Sequence, residues 1–303
     1  MIETLHYDVF TMTPGAGNPA GVVLNADQLT EPEMQRIARK NGFTETTFVL
    51  SSEQADYRMR YFAPEREMDL CGHGTIAALT AIDSSIGLPA TCQIVTKSGI
   101  LPVIRLANGM FRLRQGQPRL HRFNGDVKKV LAVIGLEVKH LDDRWPIEYG
   151  STGNWTLLLP IRRLEDFHRM KPDNQRFATV LTDYPQASIH PICLNTYDAE
   201  ATLHGRHFSA TGAGSIEDPV TGTASGVMGV YYRKFIQPLE AETAIIVEQG
   251  HEMGRPGQVG IRISGEGLDH NDWKVEMDGE AVFVGVKRVG EEETDVETLH
   301  LGF

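Results

Sequence analysis

The sequence predicts an α+β fold of two similar halves, each a sheet curled around its own buried helix, and three observations carry that expectation. Short alternating or apolar runs recur along nearly the whole chain, as strands do. The stretch Thr-Ile-Ala-Ala-Leu-Thr-Ala-Ile over residues 75–82 is apolar on almost every face, and a helix without a polar side is one surrounded by protein. The loop in front of that helix has an echo: aligning Gly74-Thr75 on Gly222-Thr223 brings a second apolar stretch, 223–232, into the same frame. A Phe-containing segment lies upstream of each, at 61–64 and 207–210. Two such loops imply two similar halves facing each other across a cleft.

Taken in order, Leu5–Phe10 alternates as a half-buried strand and Thr13–Pro19 turns the chain into Ala20–Leu24. Gly15-Ala-Gly17 lacks a Gly-Lys-Ser/Thr ending and precedes a strand, so it reads as a turn and not a phosphate loop. Thr30-Glu-Pro-Glu33 has the form of an N-cap with Pro inside the first turn, Met34, Ile37 and Ala38 share a face, and Gly42 ends the helix. Strands follow at 45–50, 56–63, 91–96, 101–106 and 110–114, with Asn108-Gly109 a hairpin turn between the last two. Gln115–Pro118 marks a boundary between a first half, 1–115, and a second half, 116–280. In the second half, 126–135, 162–170 and 174–181 read as helices. The stretches 151–159, 189–195, 206–209, 243–249, 258–263, 273–277 and 281–286 read as strands. The acidic run 290–297 reads as solvated surface.

Composition narrows the partners. With 29 Lys and Arg against 40 Asp and Glu, a net charge of −11 and a pI near 5.5, neither nucleic acid nor an anionic membrane is the expected main partner. No run approaches the roughly 18 apolar residues of a membrane span, and the chain opens on a strand pattern where a signal peptide would be basic and then apolar. A cytoplasmic protein is expected. Cys71, Cys92 and Cys193 are odd in number and widely spaced, which points to reduced thiols and not to a disulfide framework or a cysteine-based zinc site.

The chemistry should gather at the two glycine loops. The first N–H groups of a helix have no partner within it, so a buried start must meet a side chain, a water or an anion. Gly72 and Gly74, and in the second loop Gly222 and Thr223, leave that backbone open to a carboxylate. Glu45 lies between Phe43 and Phe48, where desolvation would raise its pKa toward that of a proton-transfer group; the alternative is a strand-end Glu in water. His73 is expected to be neutral, because a helix N-terminus disfavours imidazolium, and a structural turn histidine fits as well. Asp218 is the acidic member of the second loop, or else a cap on the following turn. Cys71 is a candidate low-pKa thiolate, as in racemising enzymes, but a two-base racemase needs a partner the second loop does not supply. His204-Gly-Arg-His207 is the closest spacing of possible metal ligands; surface or loop histidines explain it better, and no metal site is predicted.

Asn18-Pro19, Gly42-Phe-Thr-Glu-Thr46, Cys71-Gly-His-Gly74 and Glu217-Asp-Pro-Val-Thr-Gly-Thr-Ala224, in this order and spacing, resemble the PhzF-like isomerase family of phenazine biosynthesis. The resemblance implies the diaminopimelate epimerase fold, with two pseudo-symmetric halves, each a curved sheet around a central helix, and a C-terminal strand, about 281–303, that returns to the first half. It also implies that Glu45 transfers the proton, that His73 and Asp218 share the site, and that Gly72, Gly222 and Thr223 line it. Asn18, Cys71 and Gly74 belong to the same motifs and are taken as substrate-contacting. A homodimer that uses no cofactor is implied as well. Cys71 and Gly74 depart from the phenazine-pathway pattern and resemble the loop of proline racemase and diaminopimelate epimerase, which leaves the substrate open. The expected function is therefore cofactor-independent proton transfer on a small carboxylate. A Cys71-dependent racemase or epimerase and a non-catalytic binder with the same cleft are the alternatives.

Overall fold

The structure, a computed structural model, describes residues 1–238, 242–267, 269–290 and 296–299. It divides into two compact units, Met1–Arg114 with Asp278–Phe303, and Gln115–Met277. In the first, β1 (Ile2–Val9) pairs antiparallel with β2 (Asn18–Val23). Helix α1 (Glu31–Asn41) carries the chain over so that β3 (Glu45–Leu50) runs parallel to β2, with Ala20 opposite Glu45. Strand β4 (Tyr57–Phe62) returns antiparallel to β3, and β5 (Glu67–Met68) folds back on its end. Helix α2 (Gly72–Ile86) then leads to β6 (Thr91–Thr96), parallel to β4, and on through the antiparallel β7 (Gly99–Arg105) and β8 (Phe111–Arg114).

The second unit repeats the pattern. Strand β9 (Arg119–Arg122), helix α3 (Val127–Ala132) and β10 (Glu148–Ser151) precede β11 (Trp155–Pro160), which is antiparallel to β10, and β12 (Ser188–Cys193) lies parallel to β11. Between β11 and β12 come 3-10 turns at Leu164–Arg169 and Asn174–Arg176 and the short α4 (Phe177–Val180). Strands β13 (Leu203–Gly205) and β14 (His207–Phe208) run antiparallel to β12, and β15 (Glu217–Asp218) folds back on β14. Helix α5 (Gly222–Tyr231) runs into a π-helical turn, Tyr232–Ile236. After it β16 (Glu242–Gln249) lies parallel to β13 and antiparallel to β17 (Gly257–Ser264). Following β18 (Lys274–Gly279), β19 (Ala281–Val289) pairs antiparallel with β1, and β20 (Val296–Leu299) pairs with β19.

Local chemistry explains the elements that hold the site. Glu33 accepts hydrogen bonds from the Thr30 backbone N–H at 2.7 Å and its hydroxyl at 2.6 Å, and Gly42 at φ 69° ends α1. In α2 Ile76, Ala77, Ala78 and Leu79 are fully buried; complete burial of an Ile or Leu side chain is worth about 1.5–3 kcal/mol, which fixes this helix against β1, β2 and β3.

Three expectations change. The helix expected over 162–170 is a 3-10 turn, because the buried Asp166 carboxylate draws in the guanidinium of Arg163, three residues back, and Pro172 stops any continuation. Helix 174–181 is reduced to a 3-10 turn and α4, and helix 126–135 to α3, closed by Gly135 at φ 79°. Of the acidic run 290–297, residues 291–295 lie outside the described residues.

Candidate active site

The repeat is closer than the sequence alignment implies, and its register differs. Arg60 forks onto Glu67 at 2.7 and 2.8 Å, and Arg206 onto Glu217 at 2.8 and 2.7 Å. Phe62 faces Glu67 across β4 and β5, as Phe208 faces Glu217 across β14 and β15. Thr75 Oγ1 donates to the Cys71 carbonyl at 2.7 Å, and Ser225 Oγ to the Thr221 carbonyl at 2.9 Å. Gly72 therefore matches Gly222, two residues away from the expected pairing of Gly74 with Gly222. Cys71 matches Thr221, His73 matches Thr223, and the strand registers match Glu45 to Ser188. Arg-x-Phe at 60–62 and 206–208, each followed by the Glu, is the signal that would have fixed this register.

In the first unit the parallel pairing of β2 and β3 places Glu45 at the start of a strand beside the start of α2. Its side chain is 15% exposed and that of His73 11%, and Glu45 Oε2 lies 3.0 Å from His73 Nε2. Glu45 Oε2 makes no directed hydrogen bond, so the contact is an electrostatic one. Cys71 caps α2: Gly74 N–H donates to its sulfur at 3.2 Å. That sulfur is nearly equidistant from the two His73 nitrogens, at 3.5 and 3.7 Å, so it faces the ring as a whole. Gly74 is required by close approach, since a Cβ there would sit 2.5 Å from Thr47 Oγ1. Asn18, at the head of β2 and fully buried, accepts a bond from Thr44, the residue before Glu45, at 3.5 Å.

The electrostatics correct two expectations. Burial alone would lower the His73 pKa, but Cys71 and Glu45 beside it outweigh burial and raise it well above 6.5, the opposite direction to that expected from the helix N-terminus. Burial pushes the Cys71 thiol up, against the opposing pull of His73. A raised His pKa gives stability that is complete below the unfolded-state value near 6.5 and is lost as pH rises through the folded value. NMR titration of the His73 ring is expected to show a midpoint above 6.5 that moves down in Glu45→Gln.

In the second unit Asp218 accepts a hydrogen bond from Thr221 Oγ1 at 2.5 Å, so the Thr221 hydroxyl does not cap α5. Gln249, absent from the sequence-level candidates, donates to the Asp218 carbonyl at 2.7 Å and accepts from Thr221 N–H at 3.2 Å. Gln115 donates to the Gly222 carbonyl at 2.8 Å and accepts from Thr152 Oγ1, which also donates to the Thr223 carbonyl. Facing Asp218 across β14 and β15 is His207, whose Nδ1 is 3.1 Å from His190 Nδ1. Burial lowers the pKa of both rings, that of His207 to about 4. Glu45, Cys71, His73, Gly72 and Gly74 thus come together in one unit, while Asp218, Gly222 and Thr223 gather in the other. Glu45, Cys71 and His73 also bring an oxygen, a sulfur and a nitrogen within 4.8 Å of one another, a spacing a metal could use.

A carboxylate set against a histidine at the start of a buried helix lies on two repeated sheet-and-helix units, which together are the diaminopimelate epimerase-like fold. Residues 7–286 match the family described as phenazine biosynthesis-like protein, PhzC-PhzF, and the chain belongs to it. It is similar to the Uncharacterized isomerase YfhB of Bacillus subtilis, 46% identical over 286 residues covering 93% of this chain and 96% of that protein. The crystal structure of the Bacillus anthracis phenazine biosynthesis protein of the PhzF family superposes with a TM-score of 0.92 at 50% identity, covering 95% of this chain and 99% of that one. The trans-2,3-dihydro-3-hydroxyanthranilate isomerase of Pseudomonas chlororaphis is 28% identical, covering 92% of this chain and 97% of that protein. The chain is accordingly an isomerase of the PhzF-like type. Among the described residues no helix is long and apolar enough to cross a membrane.

Proposed function

We propose that this isomerase moves a proton within a small carboxylate, with Glu45 as the single acid–base group and His73 as its charge partner. The observation that carries the reading is the ion pair at 3.0 Å, together with the lack of any counterpart to it: the second unit has Ser188, Thr221 and Thr223 where the first has Glu45, Cys71 and His73. A two-base racemase needs an acid or thiol on each side of the reacting carbon, and the repeat supplies one set. Glu45 takes the proton from carbon, the electron pair moves into the unsaturated or carbonyl system beside it, and the carboxyl returns the proton to another carbon or heteroatom on the same face. No oxidant or reductant is needed. The imidazolium of His73 steadies the negative charge as it moves.

The first N–H groups of α2, near Gly72 and Gly74, suit the substrate carboxylate, and Asn18 supports the loop that carries Glu45. The same proposal gives Gly222 and Thr223 at the start of α5 a share in holding that carboxylate and Asp218 a share in orienting the substrate. It keeps the homodimeric, cytoplasmic enzyme without an organic cofactor that the family resemblance implies. The substrate named for the Pseudomonas chlororaphis relative is itself a carboxylate, which supports the class and not the compound.

The test is incubation in deuterated buffer with a panel of unsaturated and α-amino carboxylates, followed by NMR and chiral chromatography. Deuterium should enter at a carbon next to the unsaturation, and α-amino acids should keep their configuration. Interconversion of enantiomers would overturn the one-base reading.

A further inference from the structure

A second titratable cluster lies within the other unit, where β13 and β16 run parallel and place His204 opposite Glu248. Both are fully buried, which overturns the expectation that His204 and His207 sit on a surface loop; His207, on β14, turns instead toward His190. Glu248 is held by the backbone N–H groups of Tyr197 at 2.7 Å and Asp198 at 2.9 Å. His204 Nδ1 is 3.0 Å from Glu248 Oε1, and its Nε2 is 3.3 Å from Oε1 of Glu252, whose side chain is 3% exposed. His251 stacks on Tyr197, with ring centroids 4.4 Å apart.

Hydrogen bonding within the protein leaves this cluster incomplete. His204 Nε2, His251 Nδ1 and Glu252 Oε2 are all buried and without a hydrogen-bond partner, and a buried polar atom that nothing meets is destabilising. Charge is unbalanced too. Glu248 and Glu252 are two carboxylates set against one His204 ring, at 3.0 and 3.3 Å, and the Arg206 guanidinium is paired two-pronged with Glu217. A proton on His204 can answer one carboxylate but leaves the His251 nitrogen and the second Glu252 oxygen unmet. A divalent cation held by His204, Glu248 and His251 would meet the unpartnered His251 nitrogen, since imidazole nitrogens with carboxylate oxygens are the donor set of zinc at roughly 2.0–2.2 Å.

We propose that His204, Glu248 and His251, whose donor atoms lie within 4.8 Å of one another, bind a divalent transition metal ion, with Glu252 as a further oxygen donor. Strand β16 fixes Glu248, and His251 and Glu252 lie on the 3-10 turn His251–Met253 just beyond it. This turn can close onto the ion. Tyr197, 42% exposed, marks the side from which the ion enters. The site lies within the second unit, and the proposal is independent of the isomerase reading.

The test uses the full chain, stripped with a chelator and titrated with Zn2+ by calorimetry and with Co2+ by visible absorption. The wild type should take up a metal equivalent that raises its melting temperature, with Co2+ ligand-field bands. His251→Ala and His204→Gln should each lose that equivalent and that shift. Co2+ held instead by Cys71 would add a thiolate charge-transfer band, which this set of nitrogens and oxygens lacks. A wild type that binds no metal here, or a His251→Ala chain that keeps the equivalent, overturns the proposal. If His251→Ala does not fold, His251→Asn is read in the same way.

Discussion

Glu45→Gln is expected to slow substrate exchange by on the order of 10²–10⁴, the usual contribution of a positioned acid–base group, while leaving binding within a few-fold. Gln keeps the shape of the side chain and loses the titration. The loss should appear in the rate constant for proton transfer and not in affinity, because the carboxylate of the substrate is assigned to backbone N–H groups and not to Glu45. Calorimetry on the same preparation separates the two. After Cys71, Glu45 is the next cause that raises the His73 pKa, and the substitution removes it, so loss of exchange should be accompanied by a fall in the His73 titration midpoint. A variant that loses exchange while His73 titrates unchanged would show that Glu45 and His73 do not act as a pair.

Gly250→Ala should be among the most destabilising single substitutions in the second unit. Gly250 has φ 92°, and a Cβ there would lie 2.2 Å from the Arg255 carbonyl oxygen and 2.8 Å from that of Pro219. These are backbone atoms, so no side chain can swing aside. Left-handed strain of roughly 1–2 kcal/mol added to overpacking of about 1–3 kcal/mol gives a loss of about 2–5 kcal/mol, a large fraction of the roughly 5–15 kcal/mol that holds a domain together. Gly254 is the control, with φ 67° and nothing within 4 Å of its would-be Cβ. Its alanine variant should show the strain alone, and urea denaturation of the pair measures the clash as the difference. Because Gly250 follows Gln249, which holds Asp218 and Thr221, the substitution should also disturb the start of α5.

What was legible in the sequence was local. The Thr30–Glu33 cap, the Gly42 stop and strand 45–50 are written in neighbouring residues, and the structure places them as read. The apolar faces of α2 and α5 are equally plain, because burial on every side leaves a composition that no surface helix has. The register of the repeat was not. Glycine and threonine recur at 74–75 and 222–223 by chance of spacing, and the true match rests on the Arg60–Glu67 and Arg206–Glu217 pairs, which form only once the strands are paired. The charge of His73 was misread for a similar reason. A helix N-terminus acts through partial charges, which Cys71 and the Glu45 carboxylate at 3.0 Å outweigh, and Glu45 is far from His73 in sequence. The cluster at His204 draws on β13, β16 and the turn after β16, so no short motif announces it.

The most direct measurement sets Cys71→Ala beside Glu45→Gln in deuterated buffer, with a carboxylate that the wild type exchanges. Cys71 is a buried cap whose thiol is raised by burial, so its alanine variant should lose some stability and go on incorporating deuterium, while Glu45→Gln should stop. A folded Cys71→Ala chain that no longer exchanges, beside a Glu45→Gln chain that does, would contradict the account.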